Sequence, residues 1–385
     1  MKKSLIALAA LAAVGVASAQ SSVSISGRMD AGVRYTAKVA PGAANYTIAD
    51  DGGANQIRFA ISEDLGGGLR AVADVGMRFD INTGLSQTGG TRPLFQGETR
   101  VGVVGGFGTI KFGRGLTAVQ GPIGSADPWG VTTVAGTVYA PGFATDYAAG
   151  GEGRIDQGIF YTSPRIGGFT LGLSVSPRKL AAPAGAAATS TTQTAGGDPI
   201  ITAATAATTT TKTHMSLYAG YSAGPLSINV GHEQNRVGDT MTPIWGSYNA
   251  GFATLIAHYN TIKGGAAADR TGVTFAAAAA GVNSGSMASA AGVAAGGKID
   301  NYGIGAIIPM GATSIRLGYS TWNGNGTAGQ KDDVKMGAGV RYSLSKRTYL
   351  HANVATQTRK NNTGTRPDRD NTKNTLFDTG VVHAF

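Results

Sequence analysis

The stretch Ser22-Val23-Ser24-Ile25-Ser26-Gly27-Arg28-Met29-Asp30-Ala31-Gly32-Val33-Arg34-Tyr35 alternates in character for fourteen residues. Val23, Ile25, Met29, Ala31, Val33 and Tyr35 form one set, and Ser22, Ser24, Ser26, Arg28, Asp30 and Arg34 the other. Successive side chains of a β-strand point to opposite sides, so this segment has one greasy face and one ionic face. Strands of soluble sandwiches average about 5–6 residues and bury the greasy face on a second sheet. A strand crossing a bilayer at a tilt needs about 9–11, with lipid on one side and water on the other. Fourteen residues, with arginine and aspartate well along the wet face, favour the membrane strand.

The same rhythm recurs. Leu69, Ala71, Ala73, Val75, Met77 and Phe79 oppose Arg70, Asp74, Arg78 and Asp80. Val334, Met336, Ala338, Val340 and Tyr342 oppose Lys335, Gly337, Gly339, Arg341 and Ser343, and residues 169–176 and 315–321 alternate likewise. Between such segments, short glycine-bearing turns at 63–68, 105–108, 165–168, 222–225 and 309–312, and a short Ser345-Lys346-Arg347 turn, take turns with long polar loops. The long set covers roughly 38–54, 81–92, 115–153, 177–213, 263–298, 323–332 and 359–374. Short turns on one rim and long loops on the other are the habit of outer-membrane barrels. The spacing predicts an all-β, transmembrane antiparallel barrel of about sixteen strands, with alternation broken near 242–262.

Composition agrees. The chain has 385 residues with 60 glycines, about twice the usual ~7% share. Its 42% apolar content argues against wholesale disorder. The absence of cysteine excludes a disulfide framework, a thiolate metal cluster and a cysteine nucleophile, and five scattered histidines offer little to a metal. Lys2 and Lys3, an apolar run over 4–16 and the small residues Ala17-Ser18-Ala19 read as a signal peptide over 1–19, leaving a barrel over 20–385. Removing those two lysines takes the net charge from +10 to +8. No later run reaches 18 unbroken apolar residues, so a helical membrane protein is excluded. The low-complexity stretches at 177–213 and 263–298 read as solvated external loops. The final strand closes on Phe385, which suits a barrel pairing its last strand with its first.

Catalysis finds no footing. Gly102 to Gly108 looks like a phosphate-cradling loop, but no Gly-Lys-Ser/Thr follows and it leads into another alternating strand. There is no Gly-x-Ser-x-Gly elbow. The residues therefore point to no enzyme, no cofactor and no metal. Although the pI is near 9.7, the cations are dispersed through the strands, unlike a nucleic-acid-binding face.

At Gly27-Arg28-Met29-Asp30-Ala31-Gly32-Val33, Arg58-Phe59-Ala60-Ile61-Ser62-Glu63-Asp64-Leu65-Gly66-Gly67-Gly68-Leu69, Gly105-Gly106-Phe107-Gly108-Thr109-Ile110-Lys111-Phe112-Gly113-Arg114, and Arg154-Ile155-Asp156-Gln157 through Tyr161-Thr162-Ser163-Pro164, the chain resembles the general diffusion porins of Gram-negative outer membranes. That resemblance implies a homotrimer in the cell outer membrane whose third external loop, about 115–153 here, folds into the lumen. It implies a basic wall cluster at Arg28, Arg58 and Arg154 with Arg114 nearby, facing acidic groups on the loop, for which Asp127, Asp146 and Glu152 are the candidates. Alternation independently turns Arg28 and Arg58 to the wet face. A further arginine of the family falls on Gly97 here; Arg100, three residues on, comes inward only if a bulge intervenes. The implied partners are small hydrophilic solutes and anions, outer-membrane lipid and lipopolysaccharide, and the barrel-assembly machinery during biogenesis. The expected function is passive diffusion with anion preference. The alternatives are a substrate-selective anion channel of the same fold and a surface adhesin on a plugged barrel.

Overall fold

The computed structural model describes residues 21–37, 44–49, 54–87, 93–136, 153–177, 212–236, 238–265, 296–323, 331–361 and 372–385. The leader at 1–19 lies outside them. The strands, in chain order, are β1 (Ser22–Thr36), β2 (Tyr46–Ala49), β3 (Gln56–Gly66), β4 (Leu69–Arg78), β5 (Thr99–Gly105), β6 (Gly108–Leu116), β7 (Arg154–Thr162), β8 (Phe169–Ser176) and β9 (His214–Ala223). They continue with β10 (Leu226–Gln234), β11 (Thr240–Asn249), β12 (Thr254–Lys263), β13 (Lys298–Met310), β14 (Thr313–Asn323), β15 (Lys331–Ser343), β16 (Thr348–Asn361) and β17 (Thr372–Ala384). The short β2 pairs with residues 32–35 of β1 and adds nothing to the wall. The other sixteen pair antiparallel with their chain neighbours, and β17 returns to β1.

Closure follows from the solvent. Lipid offers no hydrogen bonds, so a spanning sheet must leave no open edge. At the seam Gly27 N–H donates to the Phe385 carbonyl at 3.0 Å, and Phe385 N–H donates back to the Gly27 carbonyl at 3.1 Å. A side chain on Gly27 would strike the Phe385 ring.

Burial is inverted relative to a soluble protein. Ile25 is 61% exposed, whereas Asp30, on the other face of the same strand, is 1% exposed. Val101, Leu171, Ile228, Ile304, Met336 and Val381 are exposed as well, while Asp74, Glu233, Lys335 and Asp378 are buried. A slip of one residue would exchange the two sets and carry charges into lipid, which fixes the register of every strand.

The region of broken alternation is two regular strands, β11 and β12, joined by a turn at 250–253. Their inner face is apolar too: Met241, Trp245, Ile256 and Ile262 are buried inside the barrel. Apolar residues on both faces erase a two-residue rhythm. Met241, Trp245 and Ile262 pack against the loop after β6.

Candidate functional site: the lumen and its inward loop

After Leu116 the chain turns into the barrel and runs along the inner wall over residues 117–136. Each step is tied to a different strand. Thr117 Oγ1 donates to Glu233 of β10 at 2.6 Å, Ala118 N–H to Ser174 Oγ of β8 at 3.0 Å and Val119 N–H to Ser216 Oγ of β9 at 3.1 Å. Farther on, Trp245 Nε1 of β11 donates to Ser125 Oγ at 2.8 Å, and Arg316 of β14 donates to the Pro128 carbonyl at 2.6 Å. Trp129 Nε1 then donates to Asn353 Oδ1 of β16 at 2.8 Å, Val134 N–H to Asp378 of β17 at 2.6 Å, and Lys335 Nζ of β15 to the Gly136 carbonyl at 2.7 Å. Two apolar patches complete the docking. Val119, Ile123 and Ala126 pack with Met241, Trp245, Ile262, Ile299 and Trp322, while Trp129, Val134 and Ala135 pack with Ala355.

Part of the glycine excess serves this docking. A Cβ on Gly337 would lie 2.8 Å from Ala135 Cβ, and one on Gly305 would collide with the Pro128 ring. A Cβ on Gly231 would likewise meet Val119. All three are inward positions. Gly337 and Gly339 already stand on the wet face of their segment in the sequence, and that is the signal that the wall there must be bare.

With the loop pressed on β8 to β17, the opposite wall stays clear and is lined by cations. Strand pairing sets Arg58 across from Gly76 and Asp74 across from Ala60 and Arg100, so these inward positions form one surface. Asp74 accepts from Arg58, from Lys111 and, at 3.4 Å, from Arg100. Arg154, 3% exposed, pairs with Glu98 at 3.3 Å. Arg28 donates twice to the Ala54 carbonyl, at 3.1 and 3.0 Å. Arg78 belongs to the same face, opposite Gln56. Burial opposes ionisation of Glu98, in the segment leading into β5, but Arg154, Arg100, Arg78 and Arg58 overcome it and hold its carboxyl below the usual carboxylate range. These six cations thus outnumber the carboxylates set among them, Asp74, Glu98 and the buried Asp30 of β1. Arg58, 41% exposed at its side chain, is more open to lumen water than Arg100, Lys111 or Arg154.

Of the basic positions expected from the sequence, Arg28, Arg58 and Arg154 stand in this cluster, and Arg100 stands with them. The reason is a bulge: Gly76 accepts from Gly97 N–H and donates to the Glu98 carbonyl, so two residues oppose one. That extra residue cancels the odd offset from Gly97. Arg114 stands apart. The ladder is irregular between Gly113 and Gly115, and Arg114 pairs with Asp156 and donates to the Gln96 carbonyl at 3.0 Å. Its neighbour Gly115 is the residue that faces the Arg100 side chain. Arg114→Gln is therefore expected to leave ion selectivity within error of the parent channel, read as the reversal potential across a salt gradient; a shift as large as that of Arg58→Gln would put Arg114 back among the pore cations.

The acidic side differs from expectation. Asp127 is buried, and its carboxylate accepts Val131 N–H at 2.7 Å; the cations it acts on are Arg316 and Lys335 of the loop-bearing wall, not those of the clear wall. Asp146 and Glu152 lie outside the described residues. The carboxylates that meet the cations, Asp74 and Glu98, come from the wall itself. Asp74 was visible as a wet-face residue of its alternating segment, as were Arg78 and, less plainly, Lys111. Glu98 sits outside any strand, and nothing in the local sequence marks it.

Comparison with known proteins agrees with this geometry. Residues 6–362 match the sequence profile of the Gram-negative porin family. The chain is similar to outer membrane porin protein 32 of Delftia acidovorans, 28% identical over 370 residues, covering 92% of this chain and 89% of that one. Among solved structures it resembles an anion-selective porin from Comamonas acidovorans, with a TM-score of 0.72 at 22% identity, covering 95% of this chain and all (100%) of the other. It also resembles the trimer form of OmpT, an outer membrane protein of Vibrio cholerae, with a TM-score of 0.59 at 14% identity over 95% of this chain and 99% of that one. A sixteen-stranded closed barrel, a loop laid inside it and a match over nearly the whole length lead to one conclusion: this chain belongs to the Gram-negative porin family, the pore-forming barrels of the outer membrane.

Proposed function

We propose that this porin is an anion-preferring, non-specific channel through which small hydrophilic solutes diffuse passively, that it works as a homotrimer, and that it performs no catalysis. The observation that carries the anion preference is the inner wall of β1 and β3 to β7, where Arg28, Arg58, Arg78, Arg100, Lys111 and Arg154 outnumber Asp30, Asp74 and Glu98. A narrow passage with low-dielectric walls focuses such a field, raising the local concentration of anions and lowering that of cations. Arginine supplies a charge that does not titrate at any working pH. The trimer is supported by the trimeric form of the Vibrio cholerae protein of similar fold. The reading extends to export with loss of residues 1–19, insertion by the barrel-assembly machinery, and contact of the rim cations with lipopolysaccharide.

Recording in planar bilayers tests the preference directly. Under a KCl gradient, the purified channel is expected to show ohmic steps whose reversal potential has the chloride sign. A potassium sign overturns the anion preference, and conductance that saturates with one solute would make the channel selective instead of general.

A further inference from the structure

The lumen carries a second arginine group, on the wall that holds the loop. Arg316 of β14 and Arg341 of β15 both point inward, next to each other across Gly339 and Ser314 in the ladder. The Arg341 guanidinium lies over the Tyr349 ring, 3.6 Å from its centroid. Arg316 spends one nitrogen on the Pro128 carbonyl, at 2.6 Å, while its Nε is buried with no hydrogen-bond partner. Arg28 and Asp30 of β1 reach the same neighbourhood, and Asp127 and Asp378 are the other carboxylates near these side chains.

These side chains surround a cavity of about 50 Å³ roofed by Trp129, Thr132 and Thr133 of the loop. That is room for roughly three to five waters, or one compact polar group, and too little for a sugar ring. The roof is strained: Val131 and Thr133, both β-branched, sit at φ 64° and 62°. Such conformations persist only where surrounding contacts impose them, and they cluster at binding sites. Here two carboxylates impose them, Asp127 accepting Val131 N–H at 2.7 Å and Asp378 accepting Val134 N–H at 2.6 Å. His351 and Asn353 also border the cavity and both hold Asp378, while Arg316 Nε and His351 Nε2 are lining atoms with no hydrogen-bond partner of their own.

Placement along the pore adds the last element. Arg341 is two residues from the end of β15 and Tyr349 is the second residue of β16, so the cavity lies toward the short-turn rim, beyond the loop as seen from the long-loop side. We propose that it is a binding subsite for a compact oxyanion, a carboxylate or a phosphate-like group, so that the pore offers anions a second arginine station that adjoins the first at Arg28, with only β17 between β16 and β1. The first concentrates anions by field. The second holds an oxyanion by geometry, because a planar guanidinium fork matches carboxylate and phosphate oxygens as chloride cannot match it. This inference rests on the reading of the pore as anion-preferring.

The test records chloride current through the purified channel at fixed KCl while inorganic phosphate, and in separate runs succinate, is added. The parent channel is expected to show saturable, partial block by both. Arg341→Gln, which removes a group bonded to no part of the loop, should raise the half-blocking concentration about tenfold, the loss of one charge-assisted contact. Arg341→Lys keeps the charge but not the fork, and should lose most of the block too. Block equal to the parent's in Arg341→Lys would mean that only the field matters and would overturn the subsite, as would absence of saturable block in the parent. Arg316→Gln should act in the same direction as Arg341→Gln; block unchanged in both glutamine variants also overturns it. The reversal potential in KCl alone is read in parallel. A potassium sign there sinks the anion preference whatever the block, whereas a chloride sign without block sinks the subsite alone.

Discussion

A channel in which Arg28, Arg58 and Arg154 are all replaced by glutamine is expected to lose most of its preference for chloride over potassium. The three replacements leave Arg78, Arg100 and Lys111 on the clear wall, and Asp30, Asp74 and Glu98 remain. Asp74 is already bonded to Lys111 and Arg100, so little free positive field survives. A unit charge about 8 Å from a permeating ion contributes about 0.5 kcal/mol in water, roughly halved by screening near 0.1 M salt. Because an anion gains what a cation loses, each charge changes the chloride-to-potassium ratio about twofold, and three change it about tenfold. The reversal potential in a KCl gradient reads this ratio, and lowering the salt should enlarge the difference between parent and variant as screening weakens. An unchanged ratio at low salt would mean that the wall cluster does not set selectivity. Heat-resistant migration of the variant on gels would show that the barrel still assembles, because these side chains point inward, away from the lipid-facing set that holds the wall in its register.

That the sequence alone turns Arg28 and Arg58 to the lumen reflects the rigidity of the two-residue period: once Val23, Ile25, Phe59 and Ile61 are assigned to lipid, their neighbours have nowhere else to go. The strand count and the asymmetry of the rims were legible for the same reason. The period fails as a guide wherever one residue is added. The bulge at Gly97 and Glu98 restores Arg100 to the lumen, and the irregularity between Gly113 and Gly115 separates Arg114 from it. Neither leaves a mark in the residue types alone. The period also fails where the inner face is not wet. Met241, Trp245 and Ile262 look inward because Val119 and Ile123 lie on them, a contact between residues more than a hundred positions apart. Asp127 shows the matching limit for charges: an acid in a loop can serve a pore or fold the loop, and only its partner, the Val131 amide, tells which.

The wall glycines supply the sharpest structural test. In a channel carrying both Gly305→Val and Gly337→Val, the inward loop is expected to leave its seat. A Cβ on Gly305 overlaps the Pro128 ring, and one on Gly337 comes within 2.8 Å of both Ala135 Cβ and its carbonyl oxygen. Valine adds two methyl groups beyond that point and, being β-branched, has few rotamers with which to avoid the contact. The wall cannot yield, because β13, β14 and β15 are held by continuous ladders, so the loop must. Overpacking of this kind costs about 1–3 kcal/mol per site. The displacement also pulls the Gly136 carbonyl from Lys335, whose ammonium is buried and would be left without it. Asp333 and Asp378 still act on that ammonium, so the loss is one charged hydrogen bond, about 1.5–3 kcal/mol. The loop then moves toward the clear wall. Single-channel conductance should fall and become noisy, and the unfolding temperature should drop, while the strand content seen by circular dichroism stays that of the parent. Ala306→Val is the control, one residue from Gly305 but on the lipid face, where an added methyl meets only acyl chains; it should be silent in all three measurements. If the double variant conducts like the parent and melts where the parent melts, the glycines are not what lets the loop lie against the wall.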